Sequence, residues 1–205
     1  MNQFKNMMPY SFICSLAWFI NCDENNNNAI VDVTIGDNYQ GGIVFYIFEE
    51  KDNGYVTGEV HGLIAAAEDQ TSTDGAEWGC YESEIQGSDA TTLGSGAQNT
   101  ADILSGCSQN GIAAKLTTDY KVIIEGVTYD DWFLPSKDEL NLLYLNKDAV
   151  GNFSSNSYYY SSTEFDKWNA WCQYMEYDLD NNYKSGFQND ELKIFTFRVR
   201  AIRAF

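Results

Sequence analysis

The sequence predicts an α+β fold, organised as one domain with antiparallel strands toward its C-terminal end. Three observations carry that expectation. An apolar, β-rich run enters through Gly41-Gly42 and continues to Phe48. A capping-box sequence, Ser136-Lys137-Asp138-Glu139, follows Pro135 and opens a leucine-rich helical stripe. From Tyr158 the texture changes to strand-like segments separated by polar loops. No linker interrupts the chain after Ala29, so these elements belong to one body.

Composition narrows the function classes. Among 205 residues, 30 Asp and Glu face 12 Lys and Arg, a formal charge of -18, while 44% of residues are hydrophobic and 15% aromatic. That apolar share suffices for a core, so the acidity coats a folded body. A field of this sign repels phosphate backbones and anionic headgroups, and Lys and Arg nowhere form the stripe that backbone contacts need. Nucleic acid is not an expected partner.

Residues 1–21 read as an export signal. Lys5 gives a short positive start, and Met7 to Ile20 is an apolar run too short for a comfortable membrane span. It lacks a small-residue cleavage site, but Cys22 directly after it is a candidate lipidation site. The following Asp23-Glu24 resembles the acidic sorting signal of surface lipoproteins in Bacteroides-like bacteria. A plain secretory signal and a buried N-terminal segment are the other two readings. On the lipoprotein reading, residues 22–35, with Asn25 to Asn28, form a polar tether and residues 36–205 the domain. The protein is then expected at the outer membrane or cell surface, touching the membrane only through its lipid. Export permits disulfides. With Cys22 lipidated, Cys80 and Cys107 are the expected bridge, because each closes a Gly-containing turn, and Cys172 is left as an odd thiol.

Within the domain, the near-continuous apolarity of Gly41 to Phe48 suggests a central strand covered on both faces, closed by a loop or hairpin at Glu49 to Gly54. His61 to Ala66 reads as a second strand paired with it. Asp69 to Gln98, polar and without period, is expected to be a long surface excursion clipped by the disulfide. Asn99 to Leu104 and Ile112 to Leu116 have the spacing of two short helices. In the capping-box helix, Leu140, Leu143 and Tyr144 form the apolar stripe, Leu142 and Leu145 widen it toward the core, and the helix ends by Gly151. Tyr158 to Ser162, Ala170 to Tyr177 and Phe195 to Phe205 are then three strands of a meander, with Glu164 to Asn169 and Asp178 to Glu191 as polar loops. The last strand alternates poorly, so either both faces are covered or a bulge shifts its register.

Enzyme signatures are thin. His61, the one histidine, sits at the lip of an apolar run and suits a structural or surface role. There is no zinc spacing, no phosphate-cradling loop and no nucleophile beside a base. Asp130-Asp131 could do acid–base work only if burial raised one pKa. No catalytic residue or cofactor is assigned. Asp178, Asp180, Asn181 and Asn182 could hold Ca²⁺, but complete no EF-hand, and a solvated acidic loop is the other reading. Arg198, Arg200 and Arg203 suit internal ion pairs better than an anion-binding patch.

Texture is the informative feature. Tyr158 to Tyr160, Trp168, Trp171, Tyr174, Tyr177, Tyr183, Phe187, Phe195 and Phe197 are interleaved with Asn, Asp and Ser. This is the vocabulary of recognition surfaces, in which rigid rings give contact area at low entropic cost. Some of the rings, Trp171 among them, are expected in the core. Phe195 and Phe197 share a strand face by parity, opposite Ile194, and are as open to solvent as to core.

Longer motifs follow in order: Tyr39-Gln40-Gly41-Gly42-Ile43-Val44-Phe45-Tyr46, His61-Gly62-Leu63-Ile64-Ala65, Trp78-Gly79, Asn99-Thr100, Ile112-Ala113-Ala114, Asp131 to Leu140, Ser161-Ser162-Thr163-Glu164 and Arg198 to Phe205. In these the chain resembles a widespread bacterial surface-domain family related to the C-terminal domain of the Legionella collagen-like adhesin. The resemblance implies a C-type-lectin-like fold close to the formylglycine-generating-enzyme branch. Proteins of this kind include variable proteins of diversity-generating retroelements, rewritten near the C-terminus at adenines of a template copy. Ser161 to Glu164, Asn169 to Trp171 and Arg198 to Ala201 resemble their framework. Between them, Cys172, Tyr174, Tyr177, Tyr183, Phe195 and Phe197 are reachable from the Asn codon AAC by changing adenines alone, which would also explain the odd thiol. The catalytic cysteines of the formylglycine-generating branch have no match, so its oxidase chemistry is not implied. Binding of sulfated polysaccharide, as by adhesin relatives, suits basic faces and not this acidic chain.

The expectation is a non-enzymatic, surface-displayed protein that binds a protein or glycan through Tyr158, Asp166, Cys172, Tyr174, Tyr177, Asp178, Asp180, Asn182, Tyr183, Phe195 and Phe197. An enzyme acting on a surface polymer, with a cleft around Asp130, Asp131 and His61, and a fimbria-like structural subunit are the alternatives.

Overall fold

The structure, a computed structural model, describes residues 32–72, 74–175 and 186–205. In chain order it contains β1 (Asn38–Tyr39), β2 (Gly42–Ile47), β3 (Gly62–Ala65), β4 (Ala76–Glu77), α1 (Gly96–Gly106), α2 (Ala113–Asp119), β5 (Val122–Ile124) and β6 (Val127–Tyr129). There follow α3 (Lys137–Leu145), α4 (Lys147–Val150), β7 (Tyr158–Glu164), β8 (Asn169–Tyr174), β9 (Gln188–Leu192), β10 (Thr196–Phe197) and β11 (Ile202–Ala204). The chain is mixed α+β, with few helices and antiparallel strand pairs throughout its sheets. Among the described residues no helix is long and apolar enough to cross a membrane.

The N-terminal sheet has the order β1-β2-β3-β11. Adjacent strand residues face opposite sides, so Val44 and Phe45, both fully buried, feed two different cores. Val44 packs in a cluster with Ile64, Trp132 and Ala201; Phe45 packs in one with Leu140, Leu143, Tyr159 and Ile202. This is the doubly covered strand that its apolar run predicts. Gly42 is required where β2 meets β3, because a Cβ there would run into the Ala65 carbonyl and lie 3.0 Å from the Trp132 ring.

The helix α3 starts at the predicted capping box: Ser136 accepts from the Glu139 N–H, and Glu139 accepts from the Ser136 N–H at 2.7 Å. Leu140 and Leu143 are sealed. Leu145, expected to widen the stripe, is 66% exposed. At 3.6 residues per turn it lies about 140° around the helix from Leu140, beyond the buried face.

Three further expectations are corrected. The excursion 69–98 is not a purely surface segment: Trp78 and Ile85 sit in the core with Ile103, Ile112, Tyr160 and Cys172, and Trp78 Nε1 donates to Ser161 O at 2.9 Å. The predicted bridge does clip it, Cys80 to Cys107, with Cα atoms 5.7 Å apart. Part of the expected polar loop Asp178 to Glu191 is strand β9, paired from Asn169↔Leu192 to Gln173↔Gln188. Its sequence, Gln-Asn-Asp-Glu-Leu, is that of a half-buried polar edge strand held by backbone pairing rather than by an apolar face. Finally, Phe195 to Phe205 is not one strand. β10 pairs with β4, Arg198 bridges Tyr159, and only β11 returns to β3. The poor alternation marks a chain that changes sheets.

Ion pairs of two buried arginines, Arg200 with a largely buried Asp69 and Arg203 with an exposed Asp131, lock that crossing. Arg200 donates Nε to Asp69 at 2.8 Å, and Arg203 grips both oxygens of Asp131 at 2.6 and 2.9 Å. Beside them, Lys193 pairs with Glu164 at almost no exposure and donates to Ser83 O at 2.9 Å, fastening the excursion to the C-terminal sheet.

Candidate functional site

The C-terminal sheet has the order β7-β8-β9, and its register decides what the aromatic residues do. Tyr158 stands opposite Tyr174, Tyr160 opposite Cys172, and Cys172 opposite Asn189. Cross-strand partners share a face, so Tyr158, Tyr160, Ala170, Cys172, Tyr174, Asn189 and Glu191 line one side. Phe187 has the parity of Asn189 and continues that side; the Tyr174 N–H donates to its carbonyl at 3.1 Å. The opposite side is closed by α3: Lys137 Nζ sits 3.4 Å over the Trp171 ring, and Gln173 Nε2 donates to Asn141 Oδ1 at 2.9 Å. Trp171, expected in the core, is half-buried under that cation.

On the aromatic side, β10 lays Phe197 across β7, with ring centroids 5.3 Å from Tyr158 and 4.8 Å from Tyr160. Tyr160, Ala170 and Cys172 are sealed beneath. The Tyr160 hydroxyl donates to the carbonyls of Leu192 and Phe195 at 3.0 and 2.9 Å, pinning the turn that presents Phe195. Phe195, 44% exposed, meets half-buried Tyr158 and Phe197 at an open rim, and Phe187, 52% exposed, stands on the same side beside Tyr174, at the other end of β9 from the Leu192–Phe195 turn. Asn189 donates to Glu191 Oε1 at 2.8 Å, adding an oriented polar pair to the rim.

Next to the rim lies a cleft of about 270 Å³, lined by Asp74, Gly75, Asn156, Ser157, Tyr158, Thr196, Phe197 and Arg198. Its Asn156 is held by the Tyr174 hydroxyl, and Arg198 Nη1 donates to Ser72 O at 2.7 Å. The arrangement offers ring faces, amide and hydroxyl groups and one cation on a frame of paired strands.

The sequence-predicted residues divide accordingly. Tyr158, Phe195 and Phe197 meet on the rim. Cys172 and Tyr174 do not face solvent, at 1% and 7% exposure, and are corrected to supports of the rim. Burial, then Glu191 and Asp190, push the Cys172 thiol far above its usual range, and its Sγ donates to Asn189 O at 3.3 Å. Asp166 is not part of the rim: it accepts from the N–H groups of Trp168 and Asn169, both at 2.7 Å, and so forms the β7–β8 turn. That turn lies at the other end of β8 from Tyr174, about 17 Å away at the rise of a strand. Tyr177, Asp178, Asp180, Asn182 and Tyr183, with the calcium candidate Asn181, lie outside the described residues, as does Cys22. Among the described residues no group of three or more His, Cys, Asp or Glu could hold a metal ion.

Sequence reasoning named Phe187 in the aromatic texture but not among the binding residues, missed Asn189, Glu191 and Asn156, and expected an internal ion pair for Arg198, which among the described residues has none. The odd-numbered parity of 187, 189 and 191 is the one signal that could have grouped Phe187, Asn189 and Glu191, once β9 was recognised. His61 and Asp131 take structural parts: His61 contacts Glu59 and Phe205 O at 2.9 and 3.1 Å, and the Arg203 guanidinium holds the Asp131 carboxyl below its ordinary range. No protein-family model matches the chain, and no curated protein does either.

Proposed function

We propose that the protein is a surface-displayed binding protein, exported as a lipoprotein anchored at Cys22, whose C-type-lectin-like frame presents the Phe187–Phe195–Phe197–Tyr158 rim to a protein or glycan. The observation that supports this reading most is the pairing of exposed rings with a rigid base. Phe187 and Phe195 stay 52% and 44% exposed while the layer beneath them is fully packed. A chain selected for stability alone gains nothing from that exposure, and large exposed rings beside oriented polar groups are what binding anchors require. Retroelement-type variation is proposed for exposed Phe195 and half-buried Phe197, and a template repeat in the surrounding nucleotide sequence is its test.

The binding test screens the full chain against glycans and surface proteins, with and without EDTA, and repeats the capture with Phe187→Ala plus Phe195→Ala. Exposed substitutions of this kind shift stability by about 0.5 kcal/mol or less, so the melting curve should be unchanged. Capture should weaken at least tenfold, as expected for the loss of anchors worth about 2 kcal/mol. Undiminished capture by the folded double variant would remove the rim from the account.

A further inference from the structure

We propose that the cleft beside the aromatic rim is a subsite for an acidic sugar, one pyranose ring bearing a single carboxylate, and that Arg198 receives that carboxylate. The assignment rests on the recognition reading above and narrows its ligand class. Of the three arginines near the C-terminus, two are committed to the frame through Asp69 and Asp131. Arg198 is different. It is half-buried, its side chain makes one hydrogen bond, to a backbone carbonyl, and among the described residues no carboxylate lies within ion-pair distance of it. In a chain of net charge -18 a guanidinium without a carboxylate is the exception. Its remaining N–H donors keep the planar fork that matches a carboxylate.

The walls indicate what carries the carboxylate. Tyr158 and Phe197, packed on each other at 5.3 Å with a tilt of 38°, bring ring atoms to a lining that is otherwise mainly polar, enough to meet one edge of the C–H face of a ring. Asn156, Thr196 and the exposed Asp74 supply both donors and acceptors around it. Hydroxyl groups on a sugar need that mixture, and an acceptor such as Asp74 has no use for an apolar side chain. A volume of about 270 Å³ falls short of drug-sized sites, which run roughly 300–1,000 Å³, so the cleft takes one ring. The net charge restricts the ligand to one carboxylate: Arg198 gives the cleft one cation to set against Asp74, and each further anionic group on the ligand adds repulsion from the acidic surface, felt over a screening length of about 8 Å.

The experiment titrates the full chain with glucuronate, its uncharged methyl ester, glucose and N-acetylphenylalanine, following binding by NMR. Glucuronate should bind, with the ester and glucose weaker by about tenfold or more, the cost of losing charge-assisted hydrogen bonds. Arg198→Gln should reproduce that loss, and Arg198→Lys, which keeps the charge without the fork, should fall between. The acid–ester comparison uses the unaltered protein, so a folding defect in a variant cannot hide the answer. Equal affinity for acid and ester, no binding of glucuronate, or tighter binding of N-acetylphenylalanine overturns the assignment. The two readings also separate. If Phe187→Ala plus Phe195→Ala abolishes capture while glucuronate ignores Arg198, the rim stands and the sugar subsite falls. If glucuronate binds through Arg198 while the rim variants capture normally, the rim falls and the subsite stands.

Discussion

Glu139 shows how one side chain can be legible in the sequence and still hold more of the fold than its motif announces. The capping box predicts its bond to Ser136, but it also accepts from the Gly94 N–H at 2.8 Å, and it is completely buried. Burial pushes its carboxyl above the ordinary value even though the N–H donors of Ser136 and Gly94 pull the other way. Gly96 is required beside it, since any Cβ there would collide with the carboxylate. Glu139→Ala should therefore cost roughly 2–4 kcal/mol in urea unfolding, because two backbone donors lose their acceptor, while Glu139→Gln, which keeps one oxygen, should cost less. The Lys193–Glu164 pair makes the complementary point. Burial pushes Glu164 up and Lys193 down, against the pull of each partner. Lys193→Met alone should cost about 3–5 kcal/mol by stranding a buried carboxylate. Adding Glu164→Leu should recover only part of that loss, because the buried Ile85 N–H then loses its acceptor, and a double-mutant cycle on the unfolding midpoints measures the difference.

At the scale of elements, the signal in the sequence followed the apolar pattern. β2, β3 and the leucine stripe of α3 are buried on their apolar faces and were readable for that reason. β9 was not, because an edge strand of polar residues is held by backbone hydrogen bonds to β8 that leave no mark on side-chain periodicity. The excursion around Trp78 is hidden from periodicity on the same ground: isolated buried side chains, Trp78 and Ile85, anchor it without any period. Its clip was readable, from turn chemistry and cysteine arithmetic. Replacing Cys80 and Cys107 by Ser reopens a loop of sequence separation 27, and should cost about 3–4 kcal/mol. The urea midpoint of the variant should match that of the reduced wild-type protein; an unchanged midpoint in both would show that the Trp78 packing holds the segment unaided.

Across the whole molecule, the decisive feature is the passage of the C-terminal segment from one sheet to the other, with Arg200 and Arg203 pinned on the way. The Arg203 guanidinium lowers the Asp131 carboxyl in the folded state. A carboxyl lowered on folding contributes stability that is fully present above its unfolded value and is lost as pH falls through the folded one. The advantage of wild type over Asp131→Asn should thus be constant at neutral pH and shrink below about pH 4, as read by thermal melts across that range. A gap that persists in acid would assign the difference to packing instead.

The amino-acid order alone determined the α+β class, the acid-rich surface, the doubly covered strand, the capped helix and the disulfide, because each depends on local pattern or on the chemistry of a few neighbouring residues. It also determined which residue types crowd the last third. Only the tertiary structure decided that Cys172 and Tyr174 lie beneath the aromatic side, that Phe187 and Phe195 stand open on it, and that Arg198 has no carboxylate partner among the described residues. Those outcomes are set by strand register and by the change of sheets at Arg198, where a shift of one residue exchanges inside for outside.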